Sequence, residues 1–285
     1  EGGPPHPARP AASRSAAAAV TMRVASMGHK VARVRHNDGM PHASSVVVIG
    51  DALIDEIHDA GGVRELVGGA ALNVAVGLRR LGIPTTLIAM VGDDEPGAHI
   101  REYLVDHGVA LVSSPSPLGS SRAIVRRDRD GAPTYVFNDA AQQRSIRYGE
   151  EALQAIGTAD LAVISCFPFD RVAEVDALAD ALAGAQVAID PNPRAGMLAD
   201  RAEFVRGAAV VKVGADDADL LYDGDLDALR ARLRGLGAEA VLATAGREGA
   251  VLETDAGTFA APISALPGPV VDTVGAGDAT LAAVA

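Results

Sequence analysis

Asp272-Thr-Val-Gly-Ala-Gly-Asp278, running on into Ala279-Thr-Leu-Ala-Ala-Val-Ala285, joins a glycine-rich turn to the start of an apolar helix. The glycines let the backbone turn tightly while successive N–H groups converge on one point, and the helix start adds partial positive charge there. Such a cradle suits a phosphate-sized anion. A carboxylate beside a bound phosphate is otherwise repelled by it. Asp278, in the first helical turn, therefore reads as a base that removes a hydroxyl proton. The competing reading, in which Asp278 merely caps the helix, stays open on the local sequence alone.

In α/β proteins ligands gather at the carboxyl ends of parallel strands, and the segments upstream of this loop alternate accordingly. Leu161–Ser165, Val187–Asp190, Val210–Val213 and Ala240–Thr244 are short apolar runs that read as strands, and spans 171–184, 198–207, 215–222 and 225–236 read as helices between them. Nearer the start, Ser45-Val-Val-Val-Ile-Gly50 and Thr85–Val91 are strands. Asn73–Leu81 carries a helical stripe (Val74, Ala75, Leu78, Leu81) stopped by Gly82 and Pro84. Pro96–His107 reads as a helix with Pro at its start and Gly108 after its end. Repeated strand–helix units predict an α/β fold, a mainly parallel sheet flanked by helices on both faces. One stretch differs in kind. Ala123–Arg127 and Thr134–Phe137 flank Asp128-Arg-Asp-Gly-Ala-Pro133, the signature of a β-hairpin.

The bulk composition agrees with a buried parallel sheet. Hydrophobic residues make up 48% of the 285, charged residues 22% and aromatics 3%, with no Trp, so Ala, Val, Leu and Ile must build the core. The formal net charge of −12 is uneven: residues 1–44 hold six Lys/Arg against Glu1 and Asp38, a net of +4, which leaves −16 on the remainder. An acidic body argues against a nucleic-acid partner, and no apolar run approaches the roughly 20 residues of a membrane span. With Cys166 as the sole cysteine no internal disulfide forms, and a reducing cytoplasm is the expected location. Residues 1–44, rich in Ala, Pro, Arg and Ser without periodicity, are expected to be a disordered or non-native leader; a transit peptide is the alternative.

The other strand ends hold weaker signals. Gly50-Asp-Ala-Leu-Ile-Asp55 sets two carboxylates after the first strand, and Gly68-Gly-Ala-Ala-Leu-Asn73 opens a helix with paired glycines. Gly92-Asp-Asp-Glu-Pro-Gly97 reads as turn chemistry in which Asp93 or Asp94 caps a helix. Asp190-Pro-Asn-Pro-Arg194 gathers a carboxylate, an amide and a guanidinium. No G-x-G-x-x-G follows the first strand, and neither G-x-x-x-x-G-K-[ST] nor H-E-x-x-H occurs. The histidines do not stand at metal-ligand spacing, and Cys166 reads as a small buried apolar residue.

Taken together, Gly68-Gly-Ala-Ala-Leu-Asn-Val-Ala-Val-Gly-Leu-Arg-Arg-Leu-Gly82 and Asp272–Asp278 resemble the two signatures of the ribokinase-like (pfkB-type) carbohydrate kinases, closest to the fructokinases. The resemblance runs from about Ser45 to Ala285 and favours Asp278 as base over Asp278 as cap. It implies a kinase domain over 45–285 with a small β-sheet lid, its strands near 56–67 and 121–138. It implies ATP as cosubstrate with Mg²⁺, and a monovalent cation such as K⁺. By position, Asp278, Gly275, Ala276 and Gly277 correspond to the catalytic loop, and Asp55, Gly69, Asn73 and Asn138 to sugar ligands. Asp190, Asn192, Lys212, Thr244, Gly246 and Gly249 correspond to the nucleotide side, and Asp272 to the monovalent-cation ligand. Where the family usually carries Asn-x-x-Glu, this chain has Gly214 and Asp217, so a water-mediated magnesium role rests on Asp217 alone.

The implied reaction is ATP-dependent phosphorylation of a sugar hydroxyl. Family kinases of phosphorylated sugars tend to carry Lys within the Gly-Gly motif; here Ala70 and Ala71 stand there, which favours an unphosphorylated sugar. Fructose leads, followed by 2-keto-3-deoxygluconate and then a nucleoside. A sugar-binding protein of the same fold is the alternative from another class. The resemblance further implies a domain incomplete after Ala285, with the adenine pocket unfinished, and a homodimer through the lid.

Overall fold

Val46-Val-Val-Ile-Gly50 is apolar on both sides of its pleat, as a strand covered on two faces must be. In the computed structural model, which describes residues 45–59, 62–127, 133–192, 202–265, 268, 270 and 273–285, it is the first of thirteen strands. These are β1 (Val46–Gly50), β2 (Leu53–Asp59), β3 (Gly62–Gly68), β4 (Thr85–Gly92), β5 (Ala110–Ser116), β6 (Arg122–Arg127) and β7 (Pro133–Phe137). They continue with β8 (Leu161–Ser165), β9 (Val187–Asp190), β10 (Val210–Gly214), β11 (Ala240–Thr244), β12 (Ala250–Thr254) and β13 (Gly257–Ala261). The helices are α1 (Ala70–Arg80), α2 (Glu95–Asp106), α3 (Asp139–Gln142), α4 (Glu150–Thr158) and α5 (Val172–Ala181). After them come α6 (Ala202–Val205), α7 (Ala215–Leu221), α8 (Leu226–Gly235) and α9 (Ala276–Val284).

The strands form a nine-stranded sheet in the order β13-β12-β11-β10-β9-β8-β1-β4-β5 and a separate four-stranded sheet in the order β3-β2-β6-β7. Every neighbour from β11 to β5 is parallel, and only the β11-β12-β13 edge is antiparallel. The α/β reading of the sequence therefore holds, and the predicted hairpin is β6–β7, with β2 parallel to β6 on its other side. The hairpin's turn residues lie outside the described residues.

Alternate side chains of β1 feed two cores: Val47 and Ile49 join Ile156, Leu178, Leu229 and Leu233 on one face, while Val46 and Val48 join Leu72, Leu78, Ile100 and Leu281 on the other. The chain builds β4 and β5 outward from β1 in one direction and β8 to β13 in the other. The reversal of strand order thus falls between β1 and β8, where α/β sheets open a crevice for ligands.

Three features escape the sequence reading. β5 contains polar serines and Pro115, tolerable because it is the sheet's edge strand. The β12–β13 hairpin turns on Thr254-Asp-Ala-Gly257 and is half-exposed, so its apolar alternation is weak. Helix α1 starts three residues before the predicted Asn73, because its first amides are held from a distance by Asp51.

Candidate active site

The crevice is lined by strand ends that the sheet register brings level. Gly50 pairs with Ser165, Ser165 with Asp190, and Gly214 with Thr244, so the residues just past β1, β8, β9, β10 and β11 share one edge. Asp51 follows β1, and Asp190 and Gly214 end their own strands. Asp51 is buried and works as a tertiary cap: its Oδ1 accepts from Ala71 N at 3.0 Å and its carbonyl from Leu72 N at 3.1 Å. The N-terminus of α1 is thereby fixed against β1 with Gly69 as its N-cap and Asn73 in its first full turn.

Helix α9 lies against α1 over the same sheet face. A Cβ on Gly77 would come within 2.8 Å of the Ala282 Cβ, so the two helices approach more closely than any larger residue permits. That proximity carries Asp278 to Asn73, whose Nδ2 donates to Asp278 Oδ2 at 2.9 Å across 205 residues of chain. Asp278 is the third residue of α9, whose N-cap Gly275 stands in the left-handed region at φ 76°. Among the described residues Asp278 accepts this one hydrogen bond and none from the amides of its own helix. It is 8% exposed. Burial pushes its carboxyl up to about 6, Asp190 and Asp51 add to the rise, and the Asn73 hydrogen bond and Lys212 oppose it.

Lys212 reaches the loop from beneath. It alternates with the core residues Val211 and Val213 on β10 and turns to the opposite face, that of α1 and α9. Its Nζ donates to Asp190 Oδ2 at 2.8 Å, with both side chains buried. A Cβ on Gly277 would lie 2.8 Å from that Nζ, so the ammonium sits directly under the first turn of α9. A helix start and a buried ammonium thus lie side by side, the ammonium paired with Asp190.

The remaining candidates divide. Asp55, on β2, lies over Gly68, and burial together with Asp51 pushes its carboxyl up to about 6. Asn192 stands at φ 51° with its N–H donating to Asp190 Oδ1 at 3.2 Å. Asp217 is buried; its Oδ2 accepts from Gly214 N at 2.7 Å, its Oδ1 has no hydrogen-bond partner among the described residues, and burial pushes it up to about 6. Thr244 turns its hydroxyl onto Val213 O at 3.2 Å, and Gly246 and Gly249 form the short turn after β11 at positive φ.

Asn138 is engaged by its surroundings: Oδ1 accepts from Arg122 N and Ala141 N, and Nδ2 donates to Ser120 O. These bonds make it the N-cap of α3 and the tie between β6 and the preceding loop. Asp94 caps α2 through Gly97 N, as expected of a turn carboxylate, and also holds Ser120. Asp272 and Arg194 lie outside the described residues. The sequence reading passed over Arg144, a fully buried arginine behind Asp51, and no local pattern marks it.

Comparison with known proteins follows the geometry. The structure of Arabidopsis thaliana ribokinase complexed with ribose and ATP superposes with a TM-score of 0.68 at 22% identity, covering 85% of each chain. The fold is accordingly the ribokinase-like one. The chain belongs to the pfkB family of carbohydrate kinases, whose family model matches residues 43–285. It is 33% identical over 264 residues to a fructokinase of Rhizobium leguminosarum bv. trifolii, covering 82% of this chain and 76% of that one. It is 31% identical over 258 residues to the aminoimidazole riboside kinase of Salmonella typhimurium, covering 84% and 79%. The protein is a phosphotransferase acting on a sugar hydroxyl, a sugar or nucleoside kinase. Among the described residues no helix is long and apolar enough to cross a membrane.

Proposed function

We propose that this kinase transfers the γ-phosphoryl group of ATP to a primary hydroxyl of an unphosphorylated sugar, with fructose as the first substrate to test. The observation that carries the reading is Asp278, buried in the first turn of α9 and oriented by Asn73. Held at about 6, the carboxylate is ionised at neutral pH yet basic enough to take a hydroxyl proton. Asn73 fixes its direction, and the amides of Gly275, Gly277 and Asp278 offer donors to the charge on the transferring group, that of Ala276 being given to Thr273 O at 3.1 Å. Lys212, under Gly277, adds a positive charge that Asp190 holds in place.

Asp55, Gly69 and Asn73 surround the sugar end, and we assign Asn138 to holding the loop rather than to the sugar. Thr244, Gly246 and Gly249 form the nucleotide end with Asp190 and Asn192. Asp217 fits a magnesium role, since its orphaned Oδ1 is the hard oxygen donor such an ion takes. Bound there, Mg²⁺ would neutralise charge on the ATP phosphates. The four-stranded sheet is read as a lid that excludes water from the phosphoryl group. Its exposed Val63, Leu66, Tyr135 and Val136 support a homodimer through it, which sedimentation of the purified protein tests.

Coupled ADP release, screened over fructose, other hexoses, 2-keto-3-deoxygluconate and nucleosides, tests the substrate. Turnover confined to nucleosides would overturn the fructose assignment in favour of the riboside-kinase relative.

A further inference from the structure

Arg144 is 1% exposed and lies behind the candidate active site. Its Nη2 donates to Cys166 O, its Nη1 stands 3.9 Å from Asp51 Oδ2, and its Nε and Nη1 have no hydrogen-bond partner among the described residues. Cys166 is held at φ 51°, a conformation unfavourable for a residue with a Cβ, and its own N–H reaches Asp190 O at 3.4 Å. A buried guanidinium with unmatched donors is a poor source of stability: apolar residues often replace such a pair as a whole without loss, whereas removing one partner strands the other's charge. Among the described residues the charge partner of Arg144 is Asp51, which holds the amides that begin α1.

We infer that Arg144 is a positioning residue for the sugar end of the site: its guanidinium neutralises buried Asp51, and Asp51 so held fixes the start of α1 where Gly69 and Asn73 stand. This rests on the kinase reading only for the name of the site it positions. Asp51 is faced by Arg144 and by the carboxyls of Asp55 on β2 and Asp278 on α9. Asp278 is faced in turn by Asp51, by Asp190 on β9 and by Lys212 on β10. An uncompensated Asp51 therefore disfavours ionisation of both site carboxylates.

The test compares wild type, Arg144→Met, Asp51→Asn and the double variant by thermal midpoint, kcat and KM for fructose against pH, and ¹³C NMR titration of the Asp278 carboxyl. Arg144→Met, which strands the buried Asp51 charge, is expected to lower the midpoint and raise KM, while the acid limb and the Asp278 titration move up by about one pH unit. The double variant, lacking both charges, is expected to bring the titration back toward wild type. An unmoved titration in Arg144→Met, or a double variant displaced as far as the single one, overturns the inference. Should Arg144→Met fail to fold, the double variant decides: it folds if the loss lies in the stranded Asp51 charge, and its failure overturns the inference. If wild type phosphorylates neither sugars nor nucleosides, the kinase reading falls, and the carboxyl titration still judges Arg144.

Discussion

Asp278 carries two opposite consequences at the scale of a single residue. Its folded value of about 6 lies above the ordinary 3.8, so the folded protein binds this proton more tightly than the unfolded chain. Stability therefore falls as pH rises from about 4 to about 6 and stays reduced above that window, by on the order of 1–3 kcal/mol. Asp278→Asn removes this penalty. It is expected to raise the unfolding midpoint at pH 7.5 while lowering kcat by about 10³-fold with KM for sugar little changed. Turnover near that of wild type would remove Asp278 from the base role. Asn73 acts on the same group from the other side, since its hydrogen bond favours the ionised form. Asn73→Leu should therefore shift the acid limb of the kcat/KM profile to higher pH, and an unshifted limb would show that the contact is idle in turnover.

At the scale of elements, the α1–α9 contact decides whether those residues meet. Gly77 is the point of closest approach, where a Cβ would stand 2.8 Å from that of Ala282. Gly77→Leu inserts four carbons into that contact and is expected to destabilise the fold by about 1–3 kcal/mol in urea unfolding. It should also lower kcat at saturating sugar, because pushing α9 away parts Asp278 from Asn73. Equal kcat with reduced stability would mean that the loop keeps its place independently of helix packing. Much at this scale was legible beforehand. β8, β9 and β11 have the bounds read from the apolar runs, and the β6–β7 hairpin follows its turn residues. What escaped has a physical reason. Edge elements such as β5 and β12–β13 are half-exposed, so their apolar periodicity fades, and the start of α1 is set by a carboxylate nineteen residues upstream of Ala70.

For the whole molecule, the buried carboxyls at the sheet's edge give the pH dependence of stability its sign. Asp55, Asp217 and Asp278 are each pushed up to about 6, chiefly by burial. Asp94 and Glu56 are held below their ordinary values by partners in the fold, so their contribution is present above about pH 4.5 and lost only below it. Between pH 5 and 7 these three raised carboxyls govern, and unfolding free energy from urea titration should be higher at pH 5 than at pH 7.5. The opposite order would mean that these carboxyls ionise as freely as in the unfolded chain.

The sequence by itself determined the alternation of strands and helices, and hence the doubly covered parallel sheet. Its two glycine-rich signatures also carried the family resemblance. These are local properties, written in spacings of a few residues, and they survive being read one segment at a time. Only the tertiary structure decided that Asn73 meets Asp278, that Lys212 lies beneath Gly277, that Asn138 is spent on backbone, and that Arg144 stands behind Asp51. Those pairings depend on which strand ends lie level and how closely two helices cross the sheet, distances that packing sets and no local spacing encodes.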